Sequence, residues 1–288
     1  MNKYLIIMLV ALASLQACTE KFIDTSGDEA AARKEYLDAN LIDASYKTAS
    51  GLYYIPILSN PTGRLVSDQK YLKLIFSTWL TNGKRVIKAN TMYHRMGDTI
   101  SVSDRNVIVG LTEGLGKMRQ GEIAKFVIPS DLAYGALNYN GIPPYSTLIY
   151  QVEVVSADML GDENDAIESY LVSNPELKFQ TSGVYFNKTL TQPDTDPSDP
   201  LTVPVSGDIV SVSYTGYYLT GNIFDKSSDL SVTIDSDGVV AGFEAAVKQL
   251  KVGEKCTVLI PSPYAYGIAG SGSIPPFTPI IFDITRND

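Results

Sequence analysis

The chain has 288 residues, 44% of them hydrophobic and 19% charged, which describes a globular protein of about two domains and excludes collagen-like, disordered and polytopic membrane classes. Lys+Arg 23 against Asp+Glu 32 leaves a net charge of −9, so a phosphate backbone would be repelled and nucleic acid is not an expected partner. One histidine and two cysteines, Cys18 and Cys256, are too few for the usual zinc ligand sets or a disulfide framework, and neither a metal nor another cofactor is expected.

The chain opens with Lys3 and an apolar run from Tyr4 to Ala13, the length of a signal-peptide core and too short to span a bilayer. Leu15-Gln16-Ala17-Cys18 resembles a bacterial lipobox, with Gln16 departing from the commonest pattern. That resemblance implies removal of residues 1–17, acylation of Cys18 and a stable lipid tether to the cell envelope. Thr19, not Asp, follows the cysteine, which by resemblance to common sorting rules points to the outer membrane. The alternative is plain secretion after cleavage near Ala17.

Residues 18–45 read as a tether and a lead-in helix around Glu35-Tyr36-Leu37. From Val107 an ungapped self-match begins at an offset of 132, with fourteen identities in the 46 positions 107–152, among them Gly110, Gly121, Glu122, Pro129, Tyr134 and Ile142. The same offset relates Ser50-Gly51-Leu52-Tyr53-Tyr54 to Ser182-Gly183-Val184-Tyr185-Phe186, so a whole domain is duplicated. The first copy is expected over 46–158 and the second, with its own lead-in helix around Ser169-Tyr170-Leu171, over 159–288; Gly161-Asp162-Glu163-Asn164-Asp165 reads as the boundary marker. Trp79 and His94 stand without a constellation, and His94 reads as a solvated loop residue.

In the second copy the prolines of Gln192–Pro200 predict a solvated loop. Ile209–Tyr214 alternates apolar and polar, and Thr220-Gly221-Asn222 before Ile223-Phe224 supplies a hairpin turn. Phe243–Leu250 carries one apolar helical face, and Cys256–Ile260 and Ile280–Ile284 predict two further strands. Strands around one short helix predict an α+β fold with an antiparallel sheet. Gly270-Ser271-Gly272-Ser273 lacks the Lys and helix of a phosphate loop, and Gly114-Leu115-Gly116 is no dinucleotide fingerprint.

Tyr214-Thr215-Gly216, Phe224-Asp225, Gly242-Phe243-Glu244, Ile260-Pro261-Ser262-Pro263-Tyr264-Ala265-Tyr266-Gly267 and Ile274-Pro275-Pro276 together resemble an FKBP-type peptidyl-prolyl isomerase. The first copy repeats the pattern at Gly110-Leu111, Ile128-Pro129-Ser130-Asp131-Leu132-Ala133-Tyr134-Gly135 and Ile142-Pro143-Pro144. The resemblance implies two tandem domains, each a twisted antiparallel sheet wrapped round one short helix. It further implies a pocket with Phe243 at the floor position, usually Trp, and walls from Tyr214, Phe224, Val239, Val240, Ile274 and Phe282. Tyr266 would donate to a ligand carbonyl, and Asp225 would stand beside the twisted carbonyl; with Phe224 these form the expected catalytic set. Proline-containing segments of exported proteins would be the substrates.

Aligning Asn82-Gly83 with the turn at Gly221 sets Phe76 opposite Tyr214, Val86 opposite Phe224 and Ile87 opposite Asp225, while Leu111 takes the floor position. The first copy is therefore expected to be weak or inactive and to bind a peptide or its partner domain, with Tyr134, Ile142 and Tyr150 remaining. The rival reading of the whole chain is a peptide-binding or chaperone lipoprotein without turnover, and a third is a purely structural surface lipoprotein.

Overall fold

A computed structural model describes residues 26–67, 70–97, 108–191 and 203–288. The leader, Cys18, Val107 and the Gln192–Pro200 stretch lie outside these residues. The chain divides into two units, the first mainly from 26–66, 74–92 and 108–155 and the second mainly from 156–191 and 203–288. No helix among the described residues is long and apolar enough to cross a membrane.

The first unit begins with helix α1 (Ser26–Ala39) and contains β1 (Tyr53–Leu58), β2 (Tyr71–Leu80), β3 (Arg85–Arg95), the short helix α2 (Val109–Leu115), β4 (Ile123–Ile128) and β5 (Leu148–Ser156). Its five strands are ordered β1-β4-β5-β2-β3. The second unit repeats the plan as α3 (Met159–Ser173), β6 (Lys178–Phe179), β7 (Tyr185–Leu190), β8 (Ile209–Tyr218), β9 (Ile223–Thr233), α4 (Ala241–Val247), β10 (Lys255–Ile260) and β11 (Ile280–Arg286). Its sheet runs β6-β7-β10-β11-β8-β9, with antiparallel pairing at every junction. This is the α+β fold with two antiparallel sheets that the strand periodicity predicts.

Each sheet buries one face on its short helix. In the second unit Phe243, Ala246 and Val247 of α4 pack with Val258, Ile260, Phe282 and Ile284 of the central strands. That helix needs glycine at its start: a Cβ on Gly242 would stand 2.3 Å from Ile260 Cγ2, and one on Gly110 2.4 Å from Ile128 Cγ2, which accounts for the repeated residue physically. The other face of each sheet receives the lead-in helix. Ile167, Tyr170 and Leu171 of α3 pack with Leu259 and Ile281, and Tyr36 and Leu37 of α1 with Val127, Ile149 and Trp79.

Three expectations need correction. Gly161–Asp165 does not itself mark the division, which falls before Ser156, but lies within α3, whose first turn Asp158 caps by accepting from Gly161 N at 3.1 Å. Local glycine and acid content suggested a break; capping and the packed apolar face outweigh it. Helix α4 stops at Val247, not Leu250, because Lys248 caps it and Leu250 N turns back to Val247 O at 3.0 Å, leaving Leu250 buried beyond the helix. His94 belongs to strand β3 instead of a loop. Trp79 sits in β2 with the Arg85 guanidinium 5.1 Å from its ring centroid, a structural setting that neighbouring residues did not signal.

Candidate functional site

The site of the second unit is built where β8, β9 and β11 lie side by side. Gly216 on β8 pairs with Phe282 on β11 and with Asp225 on β9, so one row of the sheet carries a wall ring, the gap and the carboxylate. Register shifts between Val212 and Tyr214, and between Gly216 and Tyr217, bracket this row, and such bulges re-aim side chains. The gap at Gly216 is necessary: a Cβ there would meet Phe224 Cζ at 2.7 Å and Phe282 Cε1 at 2.8 Å.

Four of the expected residues form one aromatic cluster. Phe243 and Phe282 meet edge-on at 5.0 Å between centroids, Tyr214 packs against both at 5.5 Å, and Phe224 reaches Phe282 at 5.6 Å. Edge-to-face contacts at these separations are favourable beyond simple burial. Phe243 and Phe282 are buried, while Tyr214 and Phe224 are partly open, so the cluster grades from core to solvent. Val240 caps α4 and accepts from Phe243 N at 3.0 Å, which fixes where the ring enters. Val239 packs beside it and Ile274 is buried in the same core.

Asp225 is exposed and oriented. Its Oδ2 accepts from the Tyr214 hydroxyl at 2.7 Å and its Oδ1 from Lys226 N at 2.8 Å. Burial, followed by that hydrogen bond and the carboxylate charge, pushes the Tyr214 phenol up to about 12. The Tyr266 phenol is also raised, first by burial and then by the charge of Asp225, which puts both phenols within the carboxylate's field.

Tyr266 is held through its neighbours. The carbonyl of Ser262 accepts from Ala265 N at 2.9 Å and from Gly267 N at 2.8 Å, bracketing the tyrosine. Ser262 is itself fixed by Glu163 of α3, which accepts from Ser262 N and Ser262 Oγ, both at 2.6 Å, in a buried setting. The first unit has the same device: Glu29 of α1 accepts from Ser130 N at 3.3 Å and from Thr147 Oγ1, and Ser130 O receives Ala133 N and Gly135 N.

Sequence reasoning missed three contributors. Tyr218 packs on Phe224 at 5.2 Å and donates its hydroxyl to Ser273 O at 2.8 Å, tying the small Gly270–Ser273 loop to the cluster; its place two residues from Gly216 on β8 was the available signal. Gly216 was quoted without its spacing role, and Glu163 was assigned to a boundary. A hollow of about 650 Å³ in the second unit lies elsewhere, between α4 and the Gln180–Ser182 turn. It shares only Val239 with the expected set and is crossed by Lys248 bridging Asp235 and Glu244.

The first unit has the same hairpin geometry with different chemistry. Leu80 N bonds Lys84 O as Tyr218 N bonds Asn222 O, which sets Phe76, Thr78, Val86 and Ile87 at the places of Tyr214, Gly216, Phe224 and Asp225. Leu111 is buried at the floor position, and Tyr150 stands where Phe282 does, stacked on Phe76 at 5.8 Å. The phenol has thus moved from β8 to the β5 strand, where Tyr150 and Tyr134 share a hydrogen bond in a setting whose burial raises both.

Comparison with known proteins agrees with this division. The family described as FKBP-type peptidyl-prolyl cis-trans isomerase matches residues 63–155 and 202–286, together more than half of the chain. FK506-binding protein 1 of Candida glabrata is 42% identical over 93 residues, covering 31% of this chain and 82% of its own. FKBP-type peptidyl-prolyl cis-trans isomerase FkpA of Aeromonas hydrophila is 29% identical over 202 residues, 68% of each chain. The crystal structure of FkpA from Escherichia coli aligns with a TM-score of 0.39 at 24% identity, over 54% of this chain and 82% of that one. With the family matched once in each unit, the chain belongs to the FKBP-type peptidyl-prolyl cis-trans isomerases.

Proposed function

We propose that this protein isomerises X–Pro bonds in exported proteins, that the second domain does the work, and that the first domain does not catalyse. The observation that carries this reading is the Tyr214–Asp225 hydrogen bond at 2.7 Å at the mouth of the Phe224, Phe243 and Phe282 cluster, with Phe76 and Ile87 in its place in the first domain.

Rotation about a peptide bond costs about 18–20 kcal/mol because resonance is lost at the twisted geometry. The planar amide is the more polar state, so a pocket that replaces its water with aromatic surface lowers the relative cost of twisting, and groups oriented beforehand add to that preference. Phe243 and Phe282 supply the surface. Tyr266 holds a neighbouring carbonyl, and Asp225, locked by Tyr214 and Lys226 N, faces the rotating one; no proton needs to move. Val239, Val240 and Ile274 complete the prolyl seat.

The cellular setting rests on the leader: residues 1–17 and Cys18 support a lipid-anchored envelope protein, with Thr19 supporting the outer membrane. A binding lipoprotein without turnover is favoured by one feature, the Gly270–Ser273 loop, whose short side chains offer little grip over the pocket. A proline-limited refolding assay on the full chain decides. The chain accelerates refolding, and Asp225→Ala or Phe243→Leu lowers kcat/KM at least about tenfold, equivalent to roughly 1.4 kcal/mol. A folded chain without acceleration overturns the isomerase, and full activity in both variants overturns the site.

A further inference from the structure

Tyr266 and Ile274 of the second domain stand at the two ends of one loop, and the two ends are held by different means. Behind Tyr266, Ser262 O receives Ala265 N and Gly267 N, and Glu163 fixes Ser262 in turn. Ahead of Ile274 the chain is Gly270-Ser271-Gly272-Ser273, with Gly270 at φ +67° and Gly272 at φ +54°. Glycine gives up more conformational freedom on ordering than any other residue, so this stretch is costly to hold in one shape. Ser271 N bonds Ile274 O at 2.9 Å and Ile274 N bonds Ser271 O at 2.8 Å. Both partners belong to the turn, so these bonds close it on itself without attaching it to the sheet.

The attachment comes from β8. Tyr218 pairs with Ile280 of β11, and its N–H donates to Asn222 O at 3.0 Å, which fixes its backbone. Its half-buried ring packs on Phe224 at 5.2 Å, and its hydroxyl donates to Ser273 O at 2.8 Å, with Ser273 Oγ 3.5 Å away. Strand pairing and ring packing thus place the donor independently of the loop, and a donor held beforehand loses little freedom when it bonds. Ser273 directly precedes Ile274, whose side chain is buried in the core beside Phe243 and Phe282, so the held carbonyl sets where Ile274 enters. The first domain ties down the corresponding turn with another residue. Leu80 takes the register of Tyr218 and offers no donor, while Tyr139, in register with Ser271, stacks on Tyr134 at 4.4 Å.

We propose that Tyr218 is a positioning residue for substrate binding in the second domain: through Ser273 it sets Ile274 in the prolyl seat, and it governs affinity for the substrate and not the rotation step. The proposal rests on the reading of this pocket as the isomerase site. Tyr266 has its own support at Ser262, and Asp225 has its own at Tyr214 and Lys226 N, so loss of the Tyr218 hydroxyl leaves the groups at the rotating carbonyl in place. A loop released from its anchor spends only part of its time in the binding position, and apparent affinity falls by that fraction. Binding lost equally from ground and transition states raises KM and leaves kcat unchanged.

Tyr218→Phe tests this on the full chain, because it keeps the ring for Phe224 and removes only the hydroxyl. In proline-limited refolding at varied substrate concentration, KM rises about three- to tenfold, the factor that one hydrogen bond supplies, and kcat stays within about twofold. NMR relaxation shows the Gly272 and Ser273 amides gaining mobility, as order parameters falling from about 0.85 toward 0.6 or as new relaxation dispersion. Tyr218→Leu, which copies Leu80 of the first domain, raises KM at least as much, and circular dichroism verifies that both variants fold. Unchanged KM in folded Tyr218→Phe, a loss confined to kcat, or unchanged loop mobility overturns the proposal. A folded wild-type chain without acceleration overturns the isomerase reading instead; the relaxation measurement needs no turnover and still decides whether Tyr218 holds the loop.

Discussion

Tyr214 and Asp225 act as one unit, and their replacement by Phe76 and Ile87 in the first domain removes donor and acceptor together. Replacing both partners at once leaves neither the donor nor the acceptor without the other. The unit has a measurable consequence. The Tyr214 phenol lies at about 12 in the fold against an ordinary value near 10, raised by burial first and by Asp225 second. A raised phenol favours the neutral form in the folded state, so its stabilising contribution is complete below about pH 10 and is lost as pH rises from there toward 12. The difference in phenolate absorbance between wild type and Tyr214→Phe therefore has its midpoint near pH 12 at the folded protein; a midpoint near 10 would show that the phenol is neither desolvated nor bonded to the carboxylate. Asp225, Tyr266 and Phe243 were legible in the sequence because each lies in a short motif. Gly216 as a spacer was not, since the ring approach of Phe224 and Phe282 brings together residues eight and sixty-six positions away.

Elements were readable where alternation or turn chemistry marked them, as in the β8–β9 hairpin, and less readable where packing decides. Helix α3 is the example: its Gly161 and its acids suggest a break, but Asp158 caps it and Glu163 is drawn into the interior by two donors of Ser262. The helix is thereby coupled to the turn that carries Tyr266, and the Glu29–Ser130 contact repeats the arrangement in the first domain. Removing the carboxylate leaves Ser262 N and Oγ buried without that acceptor, which costs about 1–3 kcal/mol. Glu163→Ala accordingly lowers the thermal midpoint of unfolding and reduces kcat/KM, whereas Glu163→Gln, which keeps one acceptor oxygen, recovers part of both. If Glu163→Ala lost stability but kept the full rate in the folded protein, the clamp would anchor the helix without positioning Tyr266.

At the scale of the molecule the duplication was legible because its matched residues sit at turns and close contacts, where backbone geometry restricts the side chain. The β2–β3 and β8–β9 hairpins are related by an offset of 138, against 132 for the flanking strands and short helices, so differences in length before and after the hairpin compensate each other. That shift hides the hairpin from an ungapped comparison, and with it the fact that Ile87 replaces Asp225. Two copies of one scaffold then provide an internal control for the proposed division of labour. If both domains isomerised X–Pro bonds equally, disabling the second with Asp225→Ala and Tyr266→Phe together would leave about half of the activity of the full chain; with one catalytic copy, less than about a tenth remains. The measurement is the residual proline-limited refolding rate of the double variant, read at matched concentration beside circular dichroism of the folded chain. A residual near half would assign turnover to a pocket floored by Leu111 and walled by Ile87, and the carboxylate would then be dispensable to the reaction in this protein.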